Sequence, residues 1–274
     1  QRDPDAALDA SAAAFDDSAW QAVSLLPPVE AKLVAQPNEP VQITQELSPV
    51  QITEPTPGVY VFDLGQNMVG WCRLQLRGGE GQTIEIRHGE MLNPDGTVYT
   101  QNLRDHNRRD PVPEYQKDVF IGRGGEETFE PHFTYHGFRY VEVRGLTQKP
   151  SRDDLTGRVF HSAAPLNGTF ECSDPMLNQL MKNIVWTKRG NLHSTPTDCP
   201  QRDERLGWMG DAQAFSQTAC FILNMAAFYT KWCQDIRDAQ AEDGRFADFS
   251  PNPAKNKNAF LAAPAWADAG VIVP

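Results

Sequence analysis

The sequence predicts a β-then-α architecture, an antiparallel β-sandwich followed by an α domain, and three observations predict it. Between Gly58 and Ser162 the chain is a series of short β-type runs punctuated by Gly, Asn and Asp. From Pro175 onward the apolar residues recur at helical spacing instead. At 274 residues the chain is also long enough for two domains whose cores need no disulfide staples.

Residues 1–30 are expected to be a domain tail and linker, and the first ~50 residues are rich in Ala, Asp, Pro and Gln and hold little periodicity. The exception is "DDSAWQAVSL" (Asp16 to Leu25), which reads as the last strand of an upstream β domain before a linker. The sandwich is expected over residues 31–165. Its strands are "GVYVFDLG", "VGWCRLQLRG", "QTIEIRHGEML", "YQKDVFIGRG", "GFRYVEVRG" and "GRVFHS", with turns such as "NPDG" (Asn93 to Gly96) between them. "GRGGEE" (Gly122 to Glu127) lacks the lysine and following helix of a phosphate-binding loop and puts acids where a phosphate would go, so it reads as a hairpin turn. His132 and His136, in "PHFTYHGFRY", read as structural residues at the contact with the helical part.

The helical part is expected over residues 166–274. Met176, Leu177, Leu180, Met181, Ile184 and Val185 form one apolar stripe, with Ser173 or Asp174 as N-cap and Pro175 in the first turn. "GDAQAFSQTACFI" and "MAAFYTKWCQDIRDAQ" continue as two more helices, with Asn224 as the break and "EDGRF" as the turn after them. The chain opens on Gln1 and closes on the apolar "GVIVP" (Gly270 to Pro274), which leads to the expectation of a fragment. Such a fragment would leave apolar helix faces uncovered.

Composition excludes several classes of function. Twenty-five Lys and Arg against 36 Asp and Glu give a formal charge of −11 with no basic run, so a nucleic-acid partner is not expected. No apolar stretch approaches the ~20 residues of a membrane span. The five cysteines, Cys72, Cys172, Cys199, Cys220 and Cys233, are odd in number and never in a C-x-x-C pair; they read as buried free thiols rather than as disulfides or a structural zinc site. Compartment and oligomeric state stay open.

Chemistry concentrates in "TDCPQRDERLGWMGDAQ" (Thr197 to Gln213). Pro200, Gly207 and Gly210 make Asp198 to Gly210 a loop joining two helices. Charge-rich loops of this kind are commonly just solvated. An exposed tryptophan, Trp208, among Asp198, Asp203, Glu204, Asp211, Arg202 and Arg205 points instead to a sugar, whose C–H faces stack on indole while carboxylates and guanidinium hold its hydroxyls. Hydrolysis of a glycosidic bond then needs two carboxyl groups, one of them a proton donor with a raised pKa.

At these residues the chain resembles the bacterial α-L-rhamnosidases of glycoside hydrolase family 78, whose (α/α)6 barrel carries D-x-x-x-R-x-E-x-x-x-W-x-x-D after its first helix. The pattern falls here on Asp198, Arg202, Glu204, Trp208 and Asp211 with every spacing kept. "VFDLGQNMVGWCRLQLRG", "RHGEMLNPDGTVYTQNLR" and "FEPHFTYHGFRYVEV" resemble the sandwich that precedes the barrel in these enzymes, and the likeness spans the chain from about residue 30 onward.

The resemblance implies a hydrolase releasing terminal non-reducing α-L-rhamnose by inversion, with a carbohydrate as its partner and no cofactor or metal. It makes Glu204 the general acid, Asp198, Arg202 and Asp211 the holders of sugar hydroxyls, and Trp208 a wall of the pocket. The general base would lie beyond residue 274, leaving the 274-residue piece inactive. Trp266, in "APAWADAG" with Asp268 behind it, resembles a pocket aromatic and is equally readable as core. His193 reads as structural, and a metal site from His193, Asp198 and Asp203 matches no ligand signature. Crowding by Asp198, Asp203 and Asp211 and burial against Trp208 are expected to raise the pKa of Glu204, with Arg202 and Arg205 opposing. Two alternatives keep the same architecture: a carbohydrate-binding sandwich on a helical scaffold, and an (α/α)6 enzyme for another sugar, such as a trehalose or glucan hydrolase or a polysaccharide lyase.

Overall fold

The structure, a computed structural model, describes residues 15–29, 31–103, 116–202, 204–253 and 260–274. The chain divides into two units, Gln1–Ala35 and Gln36–Pro274. In the first, the described residues form a turn closed by the Trp20 N–H on the Asp17 carbonyl at 2.8 Å, with Phe15 edge-on to the Trp20 ring. The strand expected at Asp16 to Leu25 does not form: Val23, Leu25 and Leu26 are exposed, and no neighbouring strand among the described residues pairs its backbone.

The second unit begins with one curled antiparallel sheet organised by β3 (Val59–Gly89). Three strands expected from the sequence run on here as one bent strand, and its successive stretches find different partners. Val59–Asp63 pairs with β5 (His136–Arg144) and, on its other edge, with β2 (Gln51–Thr56). Gly70–Leu74 pairs with β6 (Leu155–Ser162), and residues between Leu74 and Arg87 pair with β4 (Lys117–Phe129). Tyr140–Arg144 of β5 is held between Val59–Asp63 on one edge and Glu85–Gly89 on the other, so the sheet closes back on itself. Inside the curl lie Phe62, Leu74, Ile84, Ile86, Phe138, Val141, Val143 and Leu155.

Two strands escaped the sequence reading: β1 (Val41–Leu47), paired only with β6, and β2. Both are edges with mostly exposed side chains, so they lack the apolar alternation that marks a half-buried strand, and β2 carries Pro55 as an edge can. "GRGGEE" is not a hairpin turn. It lies within β4, pairing with Leu76–Glu80, with Gly124 and Gly125 at φ 94° and 85°; the bulge beside it falls on β3 between Glu80 and Thr83, where Gly81 has φ 75°. The Glu127 carboxylate accepts from the Arg123 and Gly124 amides, occupying the cradle where an anion would sit. "NPDG" is a turn as expected, its Gly96 N–H on the Asn93 carbonyl.

The helical part contains α1 (Pro175–Gly190), α2 (Met209–Ile222), α3 (Ala226–Asp238) and the four-residue α4 (Ala269–Ile272). Asp174, not Ser173, is the N-cap of α1, accepting from the Met176 amide at 2.8 Å. Only half of the predicted α1 stripe is used: Met181, Ile184 and Val185 pack on the core of α2 and α3, while Met176, Leu177 and Leu180 are exposed. Trp186 turns the other way onto the sheet core, and Gly190 lies so close to Val69 that a Cβ there would meet it at 2.8 Å. These contacts fix the end of α1, and the loop it feeds, against the sheet.

All five cysteines are free, with Cys72 and Cys233 buried; Cys220 is exposed and Cys172 and Cys199 are half-buried, so burial is not their common property. His136 is buried with its Nε2 3.0 Å from Asp118, whereas His132 is exposed. No described helix is long and apolar enough to cross a membrane.

Candidate active site

The chain between α1 and α2 carries the charged loop, and three separate parts of the fold hold it. From the entry to β5, Gly137 packs on Gln201 and the carbonyl of Tyr135, just before the strand, accepts from Arg205 Nη2 at 2.7 Å. From α3, Lys231 donates to the Ser194 carbonyl at 3.1 Å. From the segment after α3, the Ser250 amide donates to the Gly207 carbonyl, and the Met209 amide to that of Asp248, both at 2.9 Å. Gly207 is required here because a Cβ would come within 2.2 Å of the Ser250 oxygen.

Within this frame Glu204 is gripped by two neighbours. Its Oε1 accepts from the indole Nε1 of Trp208 at 2.8 Å, and its Oε2 pairs with the Arg202 guanidinium. Arg202 also donates to Cys199 Sγ at 3.3 Å. Asp198, Cys199 and Glu204 bring their polar atoms within 4.8 Å of one another. Burial raises the pKa of Asp198, the Cys199 thiol hydrogen bond opposes that rise, and the nearby Glu204 adds to it. The Cys199 thiol is itself pushed up to about 11, by burial and then by Asp198, so it stays protonated. Asp198 is thus a carboxyl of this loop whose surroundings favour its protonated form. Of the acids expected to crowd Glu204, Asp211 is exposed in the first turn of α2 and Asp203 lies outside the described residues.

Trp208 is half-buried rather than exposed. Phe249 and Phe260 pack edge-on against it at 5.1 and 6.2 Å, so its indole N–H is aimed at Glu204 instead of lying open to solvent. Trp266, 40% exposed, lies over the start of α2, where a Cβ on Gly210 would sit 3.1 Å from its ring. The structure thus gathers Asp198, Arg202, Glu204 and Trp208, and places Trp266 beside the helix turn that bears Asp211. Cys199, Phe249 and Phe260 were not anticipated; Cys199 stands inside the recognisable pattern, whereas the two phenylalanines come from a distant segment with no signal linking it to the loop.

His193 does not join the carboxylates. It stacks on Tyr135 with ring centroids 4.4 Å apart and planes 3° from parallel. Burial, and then the neighbouring His161, push its pKa down to about 4. Neither cluster of possible metal ligands is well arranged for an ion. Arg202 already places a fixed cation on Cys199 and Glu204. In the second cluster the His88 and His136 rings stack at 4.1 Å, and Asp118 already holds the His136 Nε2 at 3.0 Å.

Residues 53–161 match the family model described as a bacterial α-L-rhamnosidase concanavalin-like domain, and residues 165–274 match the bacterial α-L-rhamnosidase six-hairpin glycosidase domain. An α-L-rhamnosidase of Streptomyces avermitilis is 50% identical over 262 residues, covering 95% of this chain and 24% of that protein. One from Formosa agariphila is 38% identical, with 95% and 27% covered. The crystal structure of the Streptomyces avermitilis α-L-rhamnosidase complexed with L-rhamnose superposes with a TM-score of 0.87 at the same 95% and 24% coverage. That of the α-L-rhamnosidase from Dictyoglumus thermophilum superposes with a TM-score of 0.86 at 41% identity, covering 95% of this chain and 28% of that one. The chain spans about a quarter of the length of the curated relatives it matches. With the sheet and the helices each matched by a domain of the same enzymes, the chain belongs to the bacterial α-L-rhamnosidase family.

Proposed function

We propose that the full-length protein is a glycoside hydrolase that releases terminal non-reducing α-L-rhamnose by inversion. One observation carries this reading: a single carboxyl group, Glu204, is held between an indole N–H and a guanidinium, with a second carboxyl that favours its proton, Asp198, beside it. Glu204 protonates the departing glycosidic oxygen. Asp198, Arg202 and Asp211 hold the sugar hydroxyls, and Trp208 and Trp266 form the apolar wall against the ring.

An inverting reaction needs its base on the opposite face of the sugar, about 6.5–9.5 Å from the acid, to leave room for the attacking water. In this reading a carboxylate from outside residues 1–274 supplies the base, and these residues alone turn over no rhamnoside. Residues 31–165 then form the sandwich that flanks the catalytic domain, and residues 166–274 contribute the first helices of an (α/α)6 barrel.

The test is proton NMR of the full-length protein acting on an aryl α-L-rhamnoside. The expected first product is β-L-rhamnose, which mutarotates later. Initial release of the α-anomer would overturn inversion, and no release of rhamnose would overturn the substrate assignment.

A further inference from the structure

We infer that Tyr135, the residue just before β5, is a positioning residue for the general acid. This rests on the assignment of Glu204 above. The loop segment that bears Arg202 and Glu204 is held at both ends by neighbouring residues of one strand entry: Gly137 against Gln201, where a Cβ would come within 2.9 Å, and Tyr135 against Arg205. The second contact is double. Arg205 donates to the Tyr135 carbonyl at 2.7 Å and lays its guanidinium 4.0 Å from the centroid of the Tyr135 ring.

Arg205 adopts a left-handed backbone at φ 57°, which a non-glycine residue holds only when its surroundings enforce it. Since Arg205 follows Glu204 directly, the conformation of Arg205 sets the direction from which the Glu204 side chain leaves the backbone. The Tyr135 ring is itself fixed. His193 stacks on it, and Phe160 meets it edge-on at 6.1 Å while packing 4.4 Å from Trp71 of β3. A rigid aromatic column thus runs from the sheet to the residue after the acid.

The test uses the full-length enzyme with rhamnosides of poor and of activated leaving groups, taking Glu204→Gln as reference. A shift of the acid by about an ångström costs up to about 100-fold, so Tyr135→Leu is expected to lower kcat on poor leaving groups by about 10- to 100-fold, with a much smaller loss on activated aryl rhamnosides and little change in KM. Tyr135→Phe, which keeps the ring, is expected to recover most of that loss. Arg205→Met removes the other partner and is expected to give the same pattern, with the double variant Tyr135→Leu/Arg205→Met no worse than either single one. Equal losses on both classes of leaving group, or unchanged kinetics in Tyr135→Leu and Arg205→Met, would overturn the inference. If Glu204→Gln itself shows no dependence on leaving group, the acid assignment has failed instead, and the two failures are told apart.

Discussion

Arg202 and Arg205 stand three residues apart in one loop, on either side of Glu204, and they do opposite things. Arg202 is exposed and turns onto Glu204 and Cys199, within the carboxylate cluster. Arg205 is half-buried, bends back through a left-handed backbone and is spent on Tyr135. One face of the loop therefore carries the proposed chemistry and the other holds the loop in place. The lesson is that a dense charged motif need not be wholly a binding surface: some of its charge serves to fix the rest.

The largest effect that would break this division is expected at Arg202. Arg202→Met in the full-length enzyme strips a charge-assisted partner from Glu204 and an anchor from the sugar, so kcat/KM should fall by about 10- to 100-fold on every rhamnoside. A loss confined to poor leaving groups would instead make Arg202 a positioning residue like Tyr135 and erase the contrast.

A smaller effect, of opposite sign on the two faces, is expected in the pH dependence of stability. The folded pKa of Asp198 is raised above its unfolded value, so between the two the folded protein keeps a proton that the unfolded chain releases. Its contribution is present below the unfolded value and is lost as pH rises through the folded one. His193 behaves the other way: with a folded pKa of about 4, its contribution is present above the ordinary histidine value and is lost as pH falls toward 4. Asp198→Asn should remove a fall of Tm with rising pH that sets in above the ordinary carboxylate value, and His193→Phe a fall of Tm with falling pH that sets in below the ordinary histidine value. If either substitution removed the slope assigned to the other, the two environments would be wrongly described.

How legible this was depended on the range of the interactions. The turn at Asn93 to Gly96, the N-cap before α1 and the break at Asn224 are local, and each was readable from a few adjacent residues. The continuous bend of β3 was not, because its three stretches look like separate strands until β5 is inserted between the first and the last. The grouping of Glu204 with Arg202 and Trp208 was visible because their spacing along the chain is fixed. Tyr135, Phe249 and Phe260 were not, since each reaches the loop from more than 40 residues away and their sequence neighbourhoods carry no charge pattern that marks them. The expected exposure of Trp208 failed for the same reason: its cover comes from the segment after α3.

The central claim is that Glu204 gives the proton to the leaving oxygen, and Glu204→Gln in the full-length enzyme tests it most directly. The substitution keeps shape and the indole hydrogen bond but removes the transferable proton. Rhamnose binding should persist, turnover of rhamnosides with poor leaving groups should fall by about 100-fold or more, and turnover of those with acidic phenols should fall far less. The quantity to measure is the ratio of these two losses. A ratio well above one is the result expected; equal losses on natural and activated rhamnosides would show that Glu204 is not the acid.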